Sequence, residues 1–392
     1  MKESVHIIGV DMVPFMKPGS HEPYEIMAEK AIRGALKDAG IEYSKVEQAY
    51  ASYVYGDSTS GQTALYRVGM SGIPIVNVNN NCSSGSTALY LARQAVSSGA
   101  IQCALAFGFE EMQKGAIGSQ WQDRTSPLET FDQKLKELAP NAPDAPIALR
   151  TFGAAGNAYL EKYQADPEIF YHVAVKTRLH AKHNPYAIFR TPLTIEEVKN
   201  APIMYPNYLT RLCACPPSCG AAAVIVANDE FVKHHNLKNT VRILSQQMAT
   251  DTLDSYKDPI FLVGKDMTTR AAMAVYEEAG IGPEDVDVIE LHDCFTPNEI
   301  ISYEGLGLCE EGEAERFIKN QDNTYGGKYV INPSGGLMSK GHPLGATGLA
   351  QCTELVWQLR NVAGPRQVEG AKIALQHNLG LGGAVVVSMY AV

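Results

Sequence analysis

The tripeptide Ala-Gly-Ile occurs at 39–41 and again at 279–281, each time closing a helix-patterned segment, and five residues on Val46 and Val286 open strand-like runs. Gly40 and Gly280 suit the left-handed position that ends a helix. The match extends outwards. "VHIIGVDM" precedes the first copy and "VRILSQQM" the second; "GAAAVIVAND" (220–229) follows the first and "GGAVVVSMYAV" (382–392) the second. Four matches in one order indicate a duplication. Strands alternating with helices imply mostly parallel sheets covered on both faces. The expectation is two α/β halves about a pseudo-twofold axis: residues 1–112 with 216–236, and residues 237–392.

Between them, 113–215 breaks the rhythm with a stretch rich in Pro, Gln, Tyr and charge. Helical patches are expected near 154–163, 167–183 and 194–200, and no strands. Such an insertion usually caps a site or supplies substrate contacts, so it reads as a loop domain. The chain's 392 residues, 45% hydrophobic and 19% charged, allow an ample core without a bias to disorder. Its net charge of −10 disfavours nucleic acid or an anionic membrane as main partner. No uncharged apolar run approaches membrane-spanning length. The start "MKESVHIIGV" has no apolar signal core, and the end "SMYAV" is not a Ser-Lys-Leu address. A cytoplasmic protein with reduced thiols is therefore expected.

Chemistry concentrates in four stretches. In "IPIVNVNNNCSSGSTALYLARQAVSSG" (73–99) a strand runs through three asparagines to Cys82 at the start of a helix. Unpaired N–H groups there favour a thiolate and can hold an oxyanion. A buried core cysteine is the bland alternative, and the open Ser/Gly-rich helix start favours a nucleophile. In "VIELHDCFTPNEI" (288–300) a strand drawn through 286–295 puts His292 and Cys294 on one face and Asp293 on the other. On that stretch alone a satisfied core histidine beside a buried cysteine is equally compatible. In "INPSGGLMSKGHPLGATGLAQ" (331–351) a Gly-rich loop carries His342 ahead of a helix expected from about Thr347. It occupies the place in the second copy that Cys82 occupies in the first, so the symmetry should bring the two together. In "IALQHNLGLGGAVVV" (373–387) a glycine-rich turn between strands offers an anion pocket, with His377 in a structural hydrogen-bonding role.

Zinc at Cys213, Cys215 and Cys219 is disfavoured, because C-x-C-x₃-C lacks a completing pair. Neither a G-x-G-x-x-G turn after the first strand nor a P-loop motif is present, which argues against nicotinamide-cofactor and ATP chemistry.

The ordered set "NNNCSSGSTAL", "HDCF", "GHPLGATG" and "HNLGLGGAVVV", with "YVYGDSTSGQ" and "DNTYGGKYVINPSGG", resembles the thiolases over essentially the whole chain, most closely the sterol-carrier-protein type. The resemblance implies an α/β thiolase fold: two βαβαβαββ halves stacked as a five-layer αβαβα core with an inserted loop domain. It implies Cys82 as acyl-accepting nucleophile and His342 as its activator. His292 and His342 would bind the thioester oxygen, and Cys294 would be the acid/base. N–H groups of Cys82 and the turn around Gly380 would cradle the oxyanion, with His377 and Asn298 supporting. His377 stands where classical thiolases have a cysteine, and Cys219 where an acidic residue is expected. The activity implied is thiolytic cleavage of 3-ketoacyl-CoA, on medium-chain, branched or sterol side-chain substrates, with coenzyme A as co-substrate. No permanent cofactor or metal is expected, and the assembly implied is a homodimer or dimer of dimers. A steroid side-chain-CoA retro-aldolase of thiolase fold and a non-catalytic acyl-CoA-binding scaffold are the alternatives; retention of Cys82, Cys294 and both histidines argues against each.

Overall fold

Both copies of the duplication fold alike, down to the caps. The helices Tyr24–Ala39 and Lys265–Ala279 each end on a left-handed glycine, Gly40 (φ 68°) and Gly280 (φ 66°). A turn of 3₁₀ helix follows each, at Tyr43–Lys45 and Pro283–Asp285, before the next strand. The computed structural model describes residues 3–115 and 118–392.

In the first half the strands are β1 (Val5–Met12), β2 (Gln48–Ser52), β3 (Ile75–Val78), β4 (Cys103–Glu111) and, beyond the insertion, β7 (Cys219–Asn228). In the second they are β8 (Val241–Ala249), β9 (Val288–Glu290), β10 (Val330–Ile331), β11 (Ile373–Gly380) and β12 (Ala384–Ala391). The sheet order is β10-β9-β11-β12-β8-β1-β7-β4-β2-β3, which reads as the same half forwards and backwards. Pairing repeats too. β2 lies parallel to β3 and β4, while β7 is antiparallel to β4 and β1. β9 lies parallel to β10 and β11, while β12 is antiparallel to β11 and β8. The halves join where β1 meets β8, at His6–Arg242 and Ile7–Val241.

Helices Ser84–Ser97 and Leu344–Leu359 pack on each other and on strands of both halves, while Tyr24–Ala39 and Lys265–Ala279 cover the outer faces. That is the five-layer αβαβα stack, and its central layer has its own apolar core, from Val5 and Leu89 to Leu349 and Ala374. The two central helices cross at glycines. A Cβ on Gly85 would lie 2.9 Å from the Gly345 carbonyl oxygen, and one on Gly348 would lie 2.4 Å from the Ser86 nitrogen. Only bare backbone permits that approach. It draws the two helix starts, and the loops that precede them, into one place.

The insertion carries the helices Glu129–Leu138, Ile147–Tyr163, Glu168–His180 and Ile195–Lys199. It is not strandless: β5 (Ile203–Tyr205) and β6 (Leu209–Thr210) form a small antiparallel ribbon. Two- and three-residue strands are too short for a periodic signal, which is why the sequence hides them. The strand expected over 286–295 is also shorter, since β9 stops at Glu290. Among the described residues no helix is long and apolar enough to cross a membrane.

Candidate active site

Cys82 sits between β3 and the helix Ser84–Ser97, in a turn tied by its own polar side chains. Asn80 N–H donates to Ser84 Oγ (2.9 Å), and the Ser83 and Ser84 hydroxyls donate to the carbonyls of Asn80 and Asn81 (2.8 and 2.6 Å). Asn81 takes φ 52°, a conformation its short amide tolerates. From the other half, Leu381 N–H and the N–H of Cys82 itself point at the sulfur. Burial nevertheless pushes the Cys82 thiol up to about 12, and the buried carboxyl of Glu110 adds to the effect. The thiolate expected from the helix start is therefore corrected. Two N–H dipoles and a helix end do not compensate the loss of water when no cation stands by. The resting group is a thiol.

His342 is held by two contacts, one of them secured from behind. Its N–H donates to Ser218 Oγ (2.9 Å), and its Nδ1 lies 2.7 Å from Thr347 Oγ1, whose hydroxyl donates to Pro343 O (2.9 Å). Where that hydroxyl proton stays on Pro343 O, Nδ1 is the donor and Nε2 keeps a lone pair. Nε2 is buried and, among the described residues, has no hydrogen-bond partner. Burial pushes His342 down to about 3, so the ring is neutral.

His292 takes the opposite tautomer. The Asn378 amide nitrogen faces the Cys82 carbonyl oxygen (3.2 Å), which can only accept, and the same nitrogen lies 3.1 Å from His292 Nδ1. Nδ1 therefore accepts and Nε2 carries the proton. Burial, with His342 and His377 close by, holds His292 well below the usual imidazole range. The two rings stand edge to face, 4.9 Å apart at 85°. The Cys82 sulfur and one nitrogen of each ring lie within 4.8 Å of one another. One thiol, one acceptor and one donor thus converge.

Cys294 lies beyond that trio in a buried loop. Its thiol is pushed well up by burial, with the sulfurs of Cys215 and Cys82 both near enough to add to the shift. Its carbonyl accepts from Cys215 N–H (2.9 Å). With β9 ended, strand alternation is not what turns Asp293 away. Its carboxylate instead caps the turn at Leu337 and Met338 (2.7 and 3.5 Å). His377 backs the site: Nδ1 accepts from His292 N–H (3.4 Å) and Nε2 bonds Thr268 Oγ1 (3.0 Å). The Asn298 amide donates to the His292 carbonyl. Gly380 provides clearance, since a Cβ there would meet Asn80 O at 2.3 Å; the turn's donor to sulfur is Leu381.

Asn378, Thr347, Leu381 and Glu110 were not singled out from sequence. Asn378 follows His377 in "HNLG", and Glu110 is a carboxylate ending an apolar strand, a signal that was legible. Glu110 accepts from Val54, Tyr55 and Gly345 N–H (3.1, 3.0 and 3.0 Å), tying the halves together, and burial raises it to about 7.

By residue type the trio would also suit a metal ion. Ligation needs a lone pair on each imidazole, however, and the Asn378 amide leaves His292 Nε2 protonated. The set reads as proton-transfer apparatus. The cysteines of the C-x-C-x₃-C run go separate ways: Cys213 to Thr210, Cys215 to the Cys294 backbone, Cys219 to the Met112 carbonyl. A cavity of about 750 Å³ opens at Asn79–Asn81, the residues just before Cys82, and is bounded by Trp121, Leu128 and Ile147 of the insertion and by Gly380–Ala384. Cys82, His292, Cys294 and His342 are not among its lining residues.

Repeats related by a pseudo-twofold axis and stacked in five layers, with sulfur and imidazole meeting at their crossing, define the thiolase class. Residues 5–207 match the thiolase N-terminal domain, and 249–391 match the family described as thiolase C-terminal domain-like. Rat sterol carrier protein 2 is 52% identical over 394 residues, covering 98% of this chain and 71% of the relative. A solved Ltp2-ChsH2(DUF35) aldolase superposes with TM-score 0.82 at 22% identity, covering 98% of this chain and 97% of that one. Human mitochondrial 3-ketoacyl-CoA thiolase in complex with CoA gives TM-score 0.72 at 18% identity, over 100% and 98%. The chain belongs to the thiolase family, in the branch that includes sterol carrier protein 2.

Proposed function

We propose that the chain is an acyltransferase that cleaves 3-ketoacyl-CoA with coenzyme A through an acyl group on Cys82, running as a Claisen condensation in reverse. The observation that carries this reading is the convergence of the Cys82 sulfur with one nitrogen each of His292 and His342 within 4.8 Å. The hydrogen bonds at the two Nδ1 atoms favour a lone pair on His342 Nε2 and an N–H on His292 Nε2. As the substrate's 3-keto carbon is attacked, the Cys82 proton passes to His342 Nε2. Neutral imidazole and neutral thiol make this a concerted transfer rather than a pre-formed ion pair. The Leu381 and Cys82 N–H groups, which face the sulfur in the resting site, hold the oxyanion at the attacked carbon on this reading. Cleavage of the Cα–Cβ bond leaves an enolate of acetyl-CoA, or of propionyl-CoA for a 2-methyl substrate. His292 Nε2–H stabilises its oxygen and Cys294 protonates its carbon. Free CoA then loses its thiol proton to Cys294 and takes the acyl group from Cys82, whose departing sulfur recovers its proton from His342 Nε2.

On this reading residues 113–215 act as the loop domain that covers the CoA ester, and the functional unit is a homodimer or dimer of dimers. Branched or sterol side-chain acyl groups are the substrates of this reading, supported only by the name of the sterol carrier protein 2 relative. The test is incubation with acetoacetyl-CoA and with a longer or 2-methyl-branched 3-ketoacyl-CoA, with and without free CoA, followed by mass spectrometry of the cysteine peptides. Acyl-Cys82 that disappears on adding CoA is expected. Carbon–carbon cleavage that survives Cys82→Ala would instead support a retro-aldolase. Binding without any acylation would support a scaffold.

A further inference from the structure

A second cavity, of about 510 Å³, lies between the helix Glu168–His180 and the segment 318–325, closed on one side by Pro365 and Arg366. None of its lining residues is shared with the cavity at Asn79–Asn81. Its wall carries Lys176, Lys182, Arg366 and three histidines (His172, His180, His183) but no carboxylate, in a chain with 43 acidic and 33 basic residues. Asp322, next in sequence to the wall residue Gln321, opens onto a different cavity.

The cations differ in role. Lys176 is buried and paired with Glu299, and Arg366 is buried with Nε and Nη2 on Glu354 (3.1 and 2.9 Å), so both are neutralised from behind. His180 is uncharged, since burial pushes it down to about 3, and it serves to hold Asn332 O and Thr324 Oγ1 (3.0 and 2.7 Å). Lys182 is exposed at the mouth and, among the described residues, has no ion pair. The mouth therefore carries positive charge that the protein leaves unanswered. The same wall carries two exposed apolar groups, Leu179 (54% exposed) and Tyr325 (40% exposed). The Tyr325 ring is fixed at both ends. Its hydroxyl donates to Arg366 O (2.6 Å), and its ring meets that of His180 at 5.0 Å and 75°. An immobilised aromatic face costs little to use as a stacking platform, because no side-chain freedom is lost on binding.

We propose that this cavity binds a small phosphorylated molecule carrying a planar ring, of the nucleotide class, at a place separate from the acyl-transfer site. Lys182 meets the phosphate and Tyr325 the ring. Such chemistry comes either as a free nucleotide or as the nucleotide end of CoA, and the test separates them. ADP, inorganic phosphate and CoA are titrated calorimetrically into the full chain, and ADP is titrated again with CoA saturating. Binding of ADP that persists under saturating CoA is expected. Lys182→Glu should weaken it on the order of tenfold, since it reverses the charge at the mouth. Tyr325→Ala should weaken ADP on the order of tenfold while leaving phosphate unchanged, as loss of a stacking face does. An unaltered melting temperature without ligand shows that each variant is folded. Failure of ADP to bind, its exclusion by CoA, or indifference to Lys182→Glu would overturn the proposal.

Discussion

The tautomer of His292 depends on one amide. Asn378 gives one N–H to the Cys82 carbonyl oxygen at 3.2 Å and the other to His292 Nδ1 at 3.1 Å. Asn378→Asp keeps the shape and inverts the polarity. A carboxylate can only accept, so it draws the imidazole proton to Nδ1 and strips it from Nε2, where the substrate oxygen needs it. It also sets negative charge against the Cys82 carbonyl. Loss of one donor at a developing oxyanion lowers kcat by about 10²–10³, or ~3–4 kcal/mol. The amide touches no part of the proposed substrate, so KM should stay within about threefold, the pattern of an interaction made only in the transition state. Asn378→Ala, which leaves the ring free to choose, should cost only about tenfold, or ~1.4 kcal/mol. The assay is thiolysis of acetoacetyl-CoA, alongside ¹⁵N NMR of the imidazoles to read which nitrogen is protonated, with thermal melts to verify folding. Full activity in Asn378→Asp, or an unchanged His292 tautomer in that variant, refutes the reasoning.

Other outcomes follow from the same geometry. Alkylation of Cys82 by iodoacetamide should climb about tenfold per pH unit beyond pH 9 without levelling, because burial pushes the thiol up to about 12; a plateau near neutrality would mean a standing thiolate. His342→Ala should slow acylation of Cys82 by about 10²–10⁴, as loss of a positioned base does, read by quenched-flow mass spectrometry. Burial holds Glu110 at about 7, above the ordinary glutamate value of 4.5. Its folded pKa is raised, so its contribution is full below pH 4.5 and is lost as pH climbs through 7, by about 3 kcal/mol. Urea titrations from pH 4 to 8 should therefore show a slope that Glu110→Gln removes. Gly348→Ala presses a methyl against the Ser86 nitrogen at 2.4 Å and should destabilise by about 1–3 kcal/mol or more, with loss of acylation in the same protein.

The repeat was readable because it is written in local chemistry. The glycine caps at 40 and 280, the strand openings, and the alternation of strand and helix all depend on nearest neighbours. From them came the halves, the stacking and the meeting of Cys82 with His342. Features decided by distant partners were hidden. β9 ends at Glu290 because the Asn332 side chain takes Leu291 N–H (2.8 Å) and Asp293 turns to cap Leu337, contacts more than forty positions away. The charge state of Cys82 went the same way. A helix start is visible in sequence, but the depth of burial that outweighs it is a property of the assembled layers. Asn378 was overlooked because its function lies in the direction its amide faces, and that is fixed by a carbonyl nearly three hundred residues earlier.

The palindromic strand order has a consequence for ancestry. On the proposed mechanism each repeat supplies only part of the reagents, the Cys82 sulfur from one and the imidazoles with Cys294 from the other, and Cys82, His292 and His342 meet where the two halves pack together. A single-copy forerunner would have met its own twin across a twofold axis, with every loop serving twice and no means of making the two sides different. Joining two copies in one chain removes that constraint, and on the proposed mechanism it lets one loop serve as attacker and its counterpart as proton acceptor, a division of labour unavailable to a symmetric pair.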